Sequence, residues 1–509
     1  MSRADELLLA GARLVGRTDP VDLLLRHGRV ADVGPAGTLD VGPVERVELA
    51  GRTVLPGLWD KHVHLTQWAL VRRRLDLSGA GSAAEAASLV RARLEEGTLE
   101  PGAALIGYGF RDGLWPDVPT AALLDEVAGD VPVVLVSGDL HCAWLSSAGL
   151  RYVGSAQGLG DTHPTGVLRE SEWLPLAAAV DQVADELADT WVADAAAAAA
   201  TRGVVGVVDL EITDNLTAWR RRFAGGFDAL RVRAGVWTPW LDDVLAAGLR
   251  TGDVLPGTGG LLEQGPYKVV TDGSLNTRTA YCHDAYPGLT GPEAHGILSV
   301  PPEELVPLMK RAHDGGLRCA IHAIGDHANS LALDAFDATG ARGSVEHAQL
   351  LDPADLGRFA ELGVIASIQP EHAMDDRDVA DRHWAGRTGR AFPYGSLADA
   401  GAVLALGSDA PVAPLDPWVA VAAAVSRSRD GRDSWHPEQR IGLRTALEAS
   451  TDGHGLYPTA GGPADLVVLD ADPLEVDVDG GGAAGATDAL RKMPVAGTLL
   501  AGRWTHRTF

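Results

Sequence analysis

Short apolar runs broken by glycine and aspartate occupy both ends of the chain. Near the N-terminus, 7–15 and 21–34 read as strands joined by turns, and near the C-terminus 464–470 and 495–504 read the same way. Two β-rich ends around a different middle predict a small discontinuous β-sandwich domain, residues 1–55 plus 455–509, because chain ends often lie close together. The middle, 56–454, alternates. Strand-length apolar runs fall at 204–210, 230–238, 267–271, 317–322, 343–347, 364–369 and 403–407. Helical stretches such as 217–224, 302–314 and 328–339 separate most of them. With the strand that leads into His62 there are eight, and eight βα units close into an α/β fold of the (β/α)8, or TIM-barrel, type. An open doubly wound sheet is the alternative.

Spacing adds an insertion. A barrel allots roughly 30 residues to each unit, and the runs near 208, 235 and 268 keep that step. The gap of 146 residues from His62 to the run near 208 leaves a surplus of about 115 at this pitch. An inserted subdomain over the barrel mouth is therefore expected at 66–174, with its own helix at 83–94 and strand at 131–137. The alanine run at 193–200 reads as a helix.

Charge changes the picture by exclusion. Lys and Arg number 43 against 69 Asp and Glu, a net charge of −26. Such a chain is repelled by phosphate backbones and anionic lipid, so neither nucleic acid nor a membrane is expected as a partner. No apolar run approaches the roughly 20 residues that cross a bilayer. The N-terminus lacks the basic start of a secretory signal, so a cytoplasmic location is expected. Cys142, Cys282 and Cys319 are scattered and suggest neither a disulfide frame nor a thiolate metal site. Lysine occurs only at 61, 268, 310 and 492, while arginine supplies the other 39 cations. A lysine within the apolar strand around 268 thus needs a reason.

The candidate chemistry lies where the strands end. Residues i and i+2 of an extended chain share a face, so His62 and His64 can reach one point, and paired imidazoles suit a divalent metal. Lys268 follows Pro266-Tyr267, His322 ends the fifth strand, His347 the sixth, and Asp409 follows the eighth. Taken singly, each histidine is more often a hydrogen-bonded core residue than a ligand, and Asp409 could cap the next helix. Together, at five strand ends of a barrel whose sites gather on that rim, they point to a metal centre. Gln369 and His372 follow strand seven and are candidates to line the pocket. The charged stretch 374–384 reads as a solvated surface loop, with a lid as the other option. Trp68, Trp115 and Trp144 are subdomain core or, alternatively, an apolar pocket wall.

These stretches carry a resemblance. Pro56-Gly57-Leu58-Trp59-Asp60-Lys61-His62-Val63-His64, Lys268 through Ser274, His322-Ala323-Ile324-Gly325-Asp326, Glu346-His347-Ala348-Gln349 and Gly407-Ser408-Asp409-Ala410-Pro411-Val412 resemble the metal-dependent amidohydrolase superfamily. His141 through Leu150, Thr165 through Glu170 and Ser367 through His372 narrow it to the amidohydrolase-3, YtcJ-like subgroup, which includes N-substituted formamide deformylases. The resemblance implies that His62, His64 and Asp409 hold one metal and His322 and His347 a second. Both metals would be Zn2+, bridged by a carboxylated Lys268; arginine could not serve there because it does not deprotonate in proteins. It implies hydrolysis of an amide-type C–N bond, other than a peptide bond, in a small molecule. Metal-bound hydroxide would attack, with Asp409 as general base and then acid. His141 would reach the substrate from the inserted subdomain, and a homodimer would be in keeping with the subgroup. His327 departs from the expected pattern and is expected to start the following helix. A one-metal deaminase of a heterocycle is the alternative, and a catalytically inactive binding protein a third reading.

Overall fold

The computed structural model describes residues 6–97, 99, 103–138, 140, 142–155, 163–169, 172–173, 176, 183–478 and 483–509. Both ends of the chain enter one sheet. Its eight strands are Glu6–Leu14, Pro20–Arg26, Arg29–Pro35, Glu45–Glu48, Thr53–Pro56, Leu466–Leu469, Val495–Leu500 and Arg503–Arg507. The seam between the two ends pairs Thr53–Pro56 antiparallel with Leu466–Leu469, Val54 facing Val468 and Leu55 facing Val467. Alternate residues of these strands, among them Leu7, Leu9, Leu23, Leu25, Val54, Leu466, Val468 and Leu499, are buried in one cluster, as the two-residue period of a strand requires. The expected sandwich is thus one hydrogen-bonded sheet that closes over its own core. Further residues join it to the barrel: Arg231 on a barrel strand pairs with Asp465, at 3.2 Å through its Nη2.

The middle is a barrel of eight parallel strands: Leu58–Val63, Val204–Asp209, Arg231–Trp237, Leu262–Val270, Cys319–Ala323, Gly343–His347, Ile365–Ile368 and Leu404–Leu406. Regular pairing runs from the first to the eighth. The last seam is closed just beyond strand eight. There the Asp409 amide donates to the His62 carbonyl (2.7 Å) and the His64 amide to the Ala410 carbonyl (2.9 Å). Gly407 permits that approach, since a Cβ on it would sit 2.8 Å from the His62 nitrogen. The fourth strand begins at Leu262, earlier than the apolar run at 267–271 suggests, because Leu262, Glu263 and Gln264 extend its pairing with the third.

The chain divides into two compact units, one through Leu65 and from Ala193 to Phe509, the other Thr66–Val192. The second has a five-stranded sheet of Leu75–Asp76, Leu105–Phe110, Val133–Ser137, Cys142–Leu145 and Val167–Arg169. Its core contains Phe110 and Trp144, with Trp115 packed against them at ring separations of 5.6 and 6.3 Å. Trp115 and Trp144 therefore serve as core. The alanine run at 193–200 is the second half of a helix, Asp185–Ala200.

One expectation is overturned. The charged stretch 374–384 is not a loop: His372–His383 is an α-helix. It escapes an apolar-period reading because its side chains are held by ion pairs more than by apolar contacts, with Asp375, Asp378 and Asp381 each bonded to a residue of 429–435.

Gly57 joins the terminal sheet to the first barrel strand. Its amide donates to the Asp465 carbonyl (2.8 Å), and a methyl group on it would collide with the Val205 methyls. Gly57→Ala should destabilise the protein by about 1–3 kcal/mol, the usual cost of overpacking, seen as a lower thermal midpoint. An unchanged midpoint would show that the joint opens freely.

Candidate active site

The C-terminal rim of the barrel gathers most of the residues singled out from the sequence. His62 lies in strand one and His64 one residue beyond it. Lys268 lies in strand four, His322 in strand five, and His347 ends strand six. Asp409 follows strand eight, and His372 opens the helix after strand seven. Three non-glycine residues here have left-handed backbones: His347 (φ 75°), Ala348 (φ 45°) and Asp409 (φ 58°). Such conformations cost about 1–3 kcal/mol each and persist where the surroundings fix them. At Asp409 the fixing is visible, in the hydrogen bonds to His62 and from the Ser408 amide to Asp60 Oδ1 (2.9 Å).

The Asp409 carboxylate is the hub. Its Oδ1 lies 3.4 Å from His62 Nε2 and 3.4 Å from His64 Nε2, and its Oδ2 lies 3.8 Å from His372 Nε2. Two groups have their ligand atoms within 4.8 Å of one another: His62, His64 and Asp409, and His347, His372 and Asp409. His372, read from the sequence as a pocket residue, thus falls among the possible ligands. His322 lies outside both groups, though its ring is 4.5 Å from that of His347. Gln369 is buried; its Nε2 donates to the Ser367 carbonyl (3.3 Å) and its Oε1 has no partner. His327 starts the helix Asp326–Thr339 and stacks on His283 at 4.2 Å. His141 lies outside the described residues.

Three acids were not singled out. Glu346 Oε2 lies 2.7 Å from His62 Nδ1, which leaves His62 Nε2 turned to Asp409. Asp272 Oδ1 is 3.1 Å from His322 Nδ1 without a hydrogen bond between them; its Oδ1 accepts the Ile324 amide (3.0 Å) and its Oδ2 the Gly325 amide (2.8 Å). Asp60 accepts the His62 amide (3.1 Å). The usable signal was chemical: a ligating imidazole needs an acceptor on its other nitrogen, and Glu346 and Asp272 already stood in the quoted stretches.

Electrostatics sets the protonation. Burial and then the Lys268 charge push the His62 imidazole down to about 4. Burial and then His322 hold His347 well below its ordinary value. Burial opposes the charge on Asp409, yet the charges of His62 and the other histidines outweigh it and keep Asp409 well below the usual carboxylate range. Burial also works against a charge on His64, but its hydrogen bond to Asp409 overrides this and raises it. Lys268 is lowered, by burial against the pull of Glu346 and Asp409.

Several polar atoms of this cluster are buried with no hydrogen-bond partner: His64 Nδ1, Lys268 Nζ, His347 Nδ1 and His372 Nε2. Buried groups are normally paired, and each unpaired one costs on the order of 1–3 kcal/mol. The orphaned His372 Nε2, with the Nε2 atoms of His62 and His64 around the same ionised carboxylate, fits a bound divalent cation, for which imidazole and carboxylate are the suited donors.

Comparison with known proteins places the chain in a family. The family model described as "Amidohydrolase family" matches residues 45–506. Protein LONG AFTER FAR-RED 3 of Arabidopsis thaliana is 32% identical over 496 residues, covering 88% of this chain and 83% of that protein. The putative amidohydrolase YtcJ of Bacillus subtilis is 28% identical, over 85% of this chain and 87% of that one. N-substituted formamide deformylase of Arthrobacter pascens is 26% identical over 94% of both. Among solved structures, an uncharacterized metal-dependent hydrolase from Pyrococcus horikoshii OT3 superposes with a TM-score of 0.77 at 25% identity, covering 92% of this chain and 98% of that one. With its model matched over nearly all of the sequence, the chain belongs to the amidohydrolase family.

Proposed function

We propose that this protein is a metal-dependent hydrolase that cleaves an amide-type C–N bond of a small molecule. The observation that carries the reading is the gathering of His62, His64, His347 and His372 around the Asp409 carboxylate, with the partnerless Nε2 of His372 facing it. His62, His64 and Asp409 would hold one cation. His347, with His372 or His322, would hold a second. When bound, a divalent cation supplies Lewis acidity to a water molecule and to the scissile carbonyl.

The chain's own residues do the rest. Glu346 fixes the tautomer and direction of His62 through its Nδ1. Asp409, held ionised, takes a proton from the attacking water and returns it to the leaving nitrogen. Its Oδ2, which lies 3.8 Å from His372 Nε2, would take that proton. Burial pushes Lys268 toward the uncharged amine, against the pull of Glu346 and Asp409. Its Nζ can therefore add to the carbon of CO2 and release a proton, giving a carbamate whose two oxygens serve as further ligands. That would remove the cost of an orphaned buried amine and account for a lysine in an apolar strand of a chain whose cations are 39 arginines and four lysines. The name of the A. pascens relative makes N-substituted formamides the first substrates to try.

A one-metal deaminase of a heterocycle is the second reading. It is favoured by one observation: the two compact ligand groups share Asp409, and His322 belongs to neither. Metal analysis separates the two. Two equivalents of Zn2+ per chain, with release of amine from N-formyl, N-acyl or carbamate substrates, is expected. One equivalent with ammonia release from a heterocycle would favour the second reading, and no metal would remove both.

Lys268→Ala should lower metal content to one equivalent or less and reduce turnover at least about 100-fold, as loss of a charge-stabilising group does. Full metal content and activity in that variant would sink the bridging role. Glu346→Gln keeps the volume but loses the charge facing His62. It should weaken metal affinity about 10–100-fold, measured by competition with a chromophoric chelator, with little change in circular dichroism.

A further inference from the structure

The helix His372–His383 is gripped at its start by two arginines from distant parts of the chain. Glu371, immediately before His372, is buried. Arg491 meets its carboxylate with both ends of the guanidinium, Nη2 to Oε2 at 2.6 Å and Nη1 to Oε1 at 3.0 Å. Arg429 places a single nitrogen, Nη1, between Glu371 Oε1 (2.8 Å) and Asp375 Oδ1 (2.7 Å). Two cations thus meet two acids at the first turn, and Arg429 Nε also reaches the exposed Asp430 (3.2 Å). Further along, Arg432 meets Asp378 (2.7 Å), and Trp435 Nε1 donates to Asp381 (3.1 Å). The spacing of three on the helix, 375, 378 and 381, is matched by three on the docking segment, 429, 432 and 435. The opposite side of the helix is tied by Asn276 Nδ2 to Asp376 Oδ1 (2.8 Å).

Not all of these contacts carry equal weight. Arg432 and Asp378 are exposed at 46% and 59%, and exposed pairs contribute little. Arg491 and Glu371 are exposed at only 15% and 6%, where removing one partner leaves a buried charge uncompensated. The strong grip therefore falls on the residue next to His372, whose Nε2 has no hydrogen-bond partner and lies 3.8 Å from Asp409 Oδ2. Arg491 ends the helix Ala483–Arg491, which lies in sequence between two strands of the terminal sheet.

We propose that Arg491 and Arg429 are positioning residues for His372, so that a helix contributed from within the terminal sheet's sequence fixes one side of the metal centre. This rests on the proposed function only in what it assigns His372 to hold. Hydrogen exchange on the metal-free full chain tests the positioning. Arg491→Ala should speed exchange across 372–383 about ten-fold or more, a local opening, and leave the strands of the terminal sheet unchanged. Arg429→Lys should stay near wild type, because one nitrogen serves both acids. Arg491→Lys should not, because an ammonium cannot make the two-pronged contact. Zn2+ titration then tests the link to the site: Arg491→Ala should weaken binding about ten-fold, and in a His372→Ala background it should weaken it less than about two-fold. Uniform acceleration of exchange along the chain, or an equal loss of Zn2+ affinity in both backgrounds, would overturn the proposal. Should Arg491→Ala fail to fold, Arg429→Ala carries the same measurements. A wild-type protein that binds no Zn2+ would remove the proposed function, while the exchange experiment would still decide the positioning claim.

Discussion

The hydrogen bond from the Asp409 amide to the His62 carbonyl joins the two ends of an eight-stranded sheet. A parallel barrel has one seam at which the last strand must find the first, and here that seam passes through the residues proposed to hold metal. Strand eight is only Leu404–Leu406, too short to close the barrel alone. Closure depends on 407–410, where Gly407 lets the backbones approach and Asp409 adopts a left-handed conformation. The same turn aims the Asp409 carboxylate at His62 and His64. Fold and site are therefore coupled: what opens the seam also separates the ligands.

Charge inside this rim is balanced as a group. Burial alone would neutralise Asp409 and Lys268 alike. Asp409 keeps its charge because histidines surround it, whereas Lys268 is driven toward the uncharged amine and left without a hydrogen bond. The histidines in turn divide into those oriented by an acid, as His62 is by Glu346, and those with an orphaned nitrogen, as in His64, His347 and His372. Of the orphaned nitrogens, His372 Nε2 faces Asp409 and is the one a cation there would partner.

Much of this was legible in the sequence, for identifiable reasons. The barrel strands are buried on both faces and so read as plain apolar runs; Val204–Asp209 is buried throughout. His62, His64, Lys268, His322, His347 and Asp409 stand at strand ends, where a polar residue after an apolar run is conspicuous. The helix His372–His383 was not legible, because it lacks an apolar stripe and its partners lie more than 50 residues away, at 429–435 and 491. Glu346 hid for a different reason: an acid beside a histidine looks solvated until the neighbouring strand shows where His62 Nδ1 lies. The seam at Asp409 could not be seen either, since strand eight reads as a self-sufficient run and nothing in it says that the next residues finish the barrel.

The two-ended sheet has a consequence for the order in which the molecule can be made. Thr53–Pro56 pairs with Leu466–Leu469, so strands made early wait for partners about 410 residues later in the chain. At roughly 5–20 residues per second of synthesis, that interval is about 20–80 seconds. Throughout it, Leu7, Leu9, Leu23 and Leu25 belong to a half-built core, and the Thr53–Pro56 edge has open hydrogen-bonding groups. The nascent chain thus carries an open sheet edge until Leu466–Leu469 has been made to pair with it.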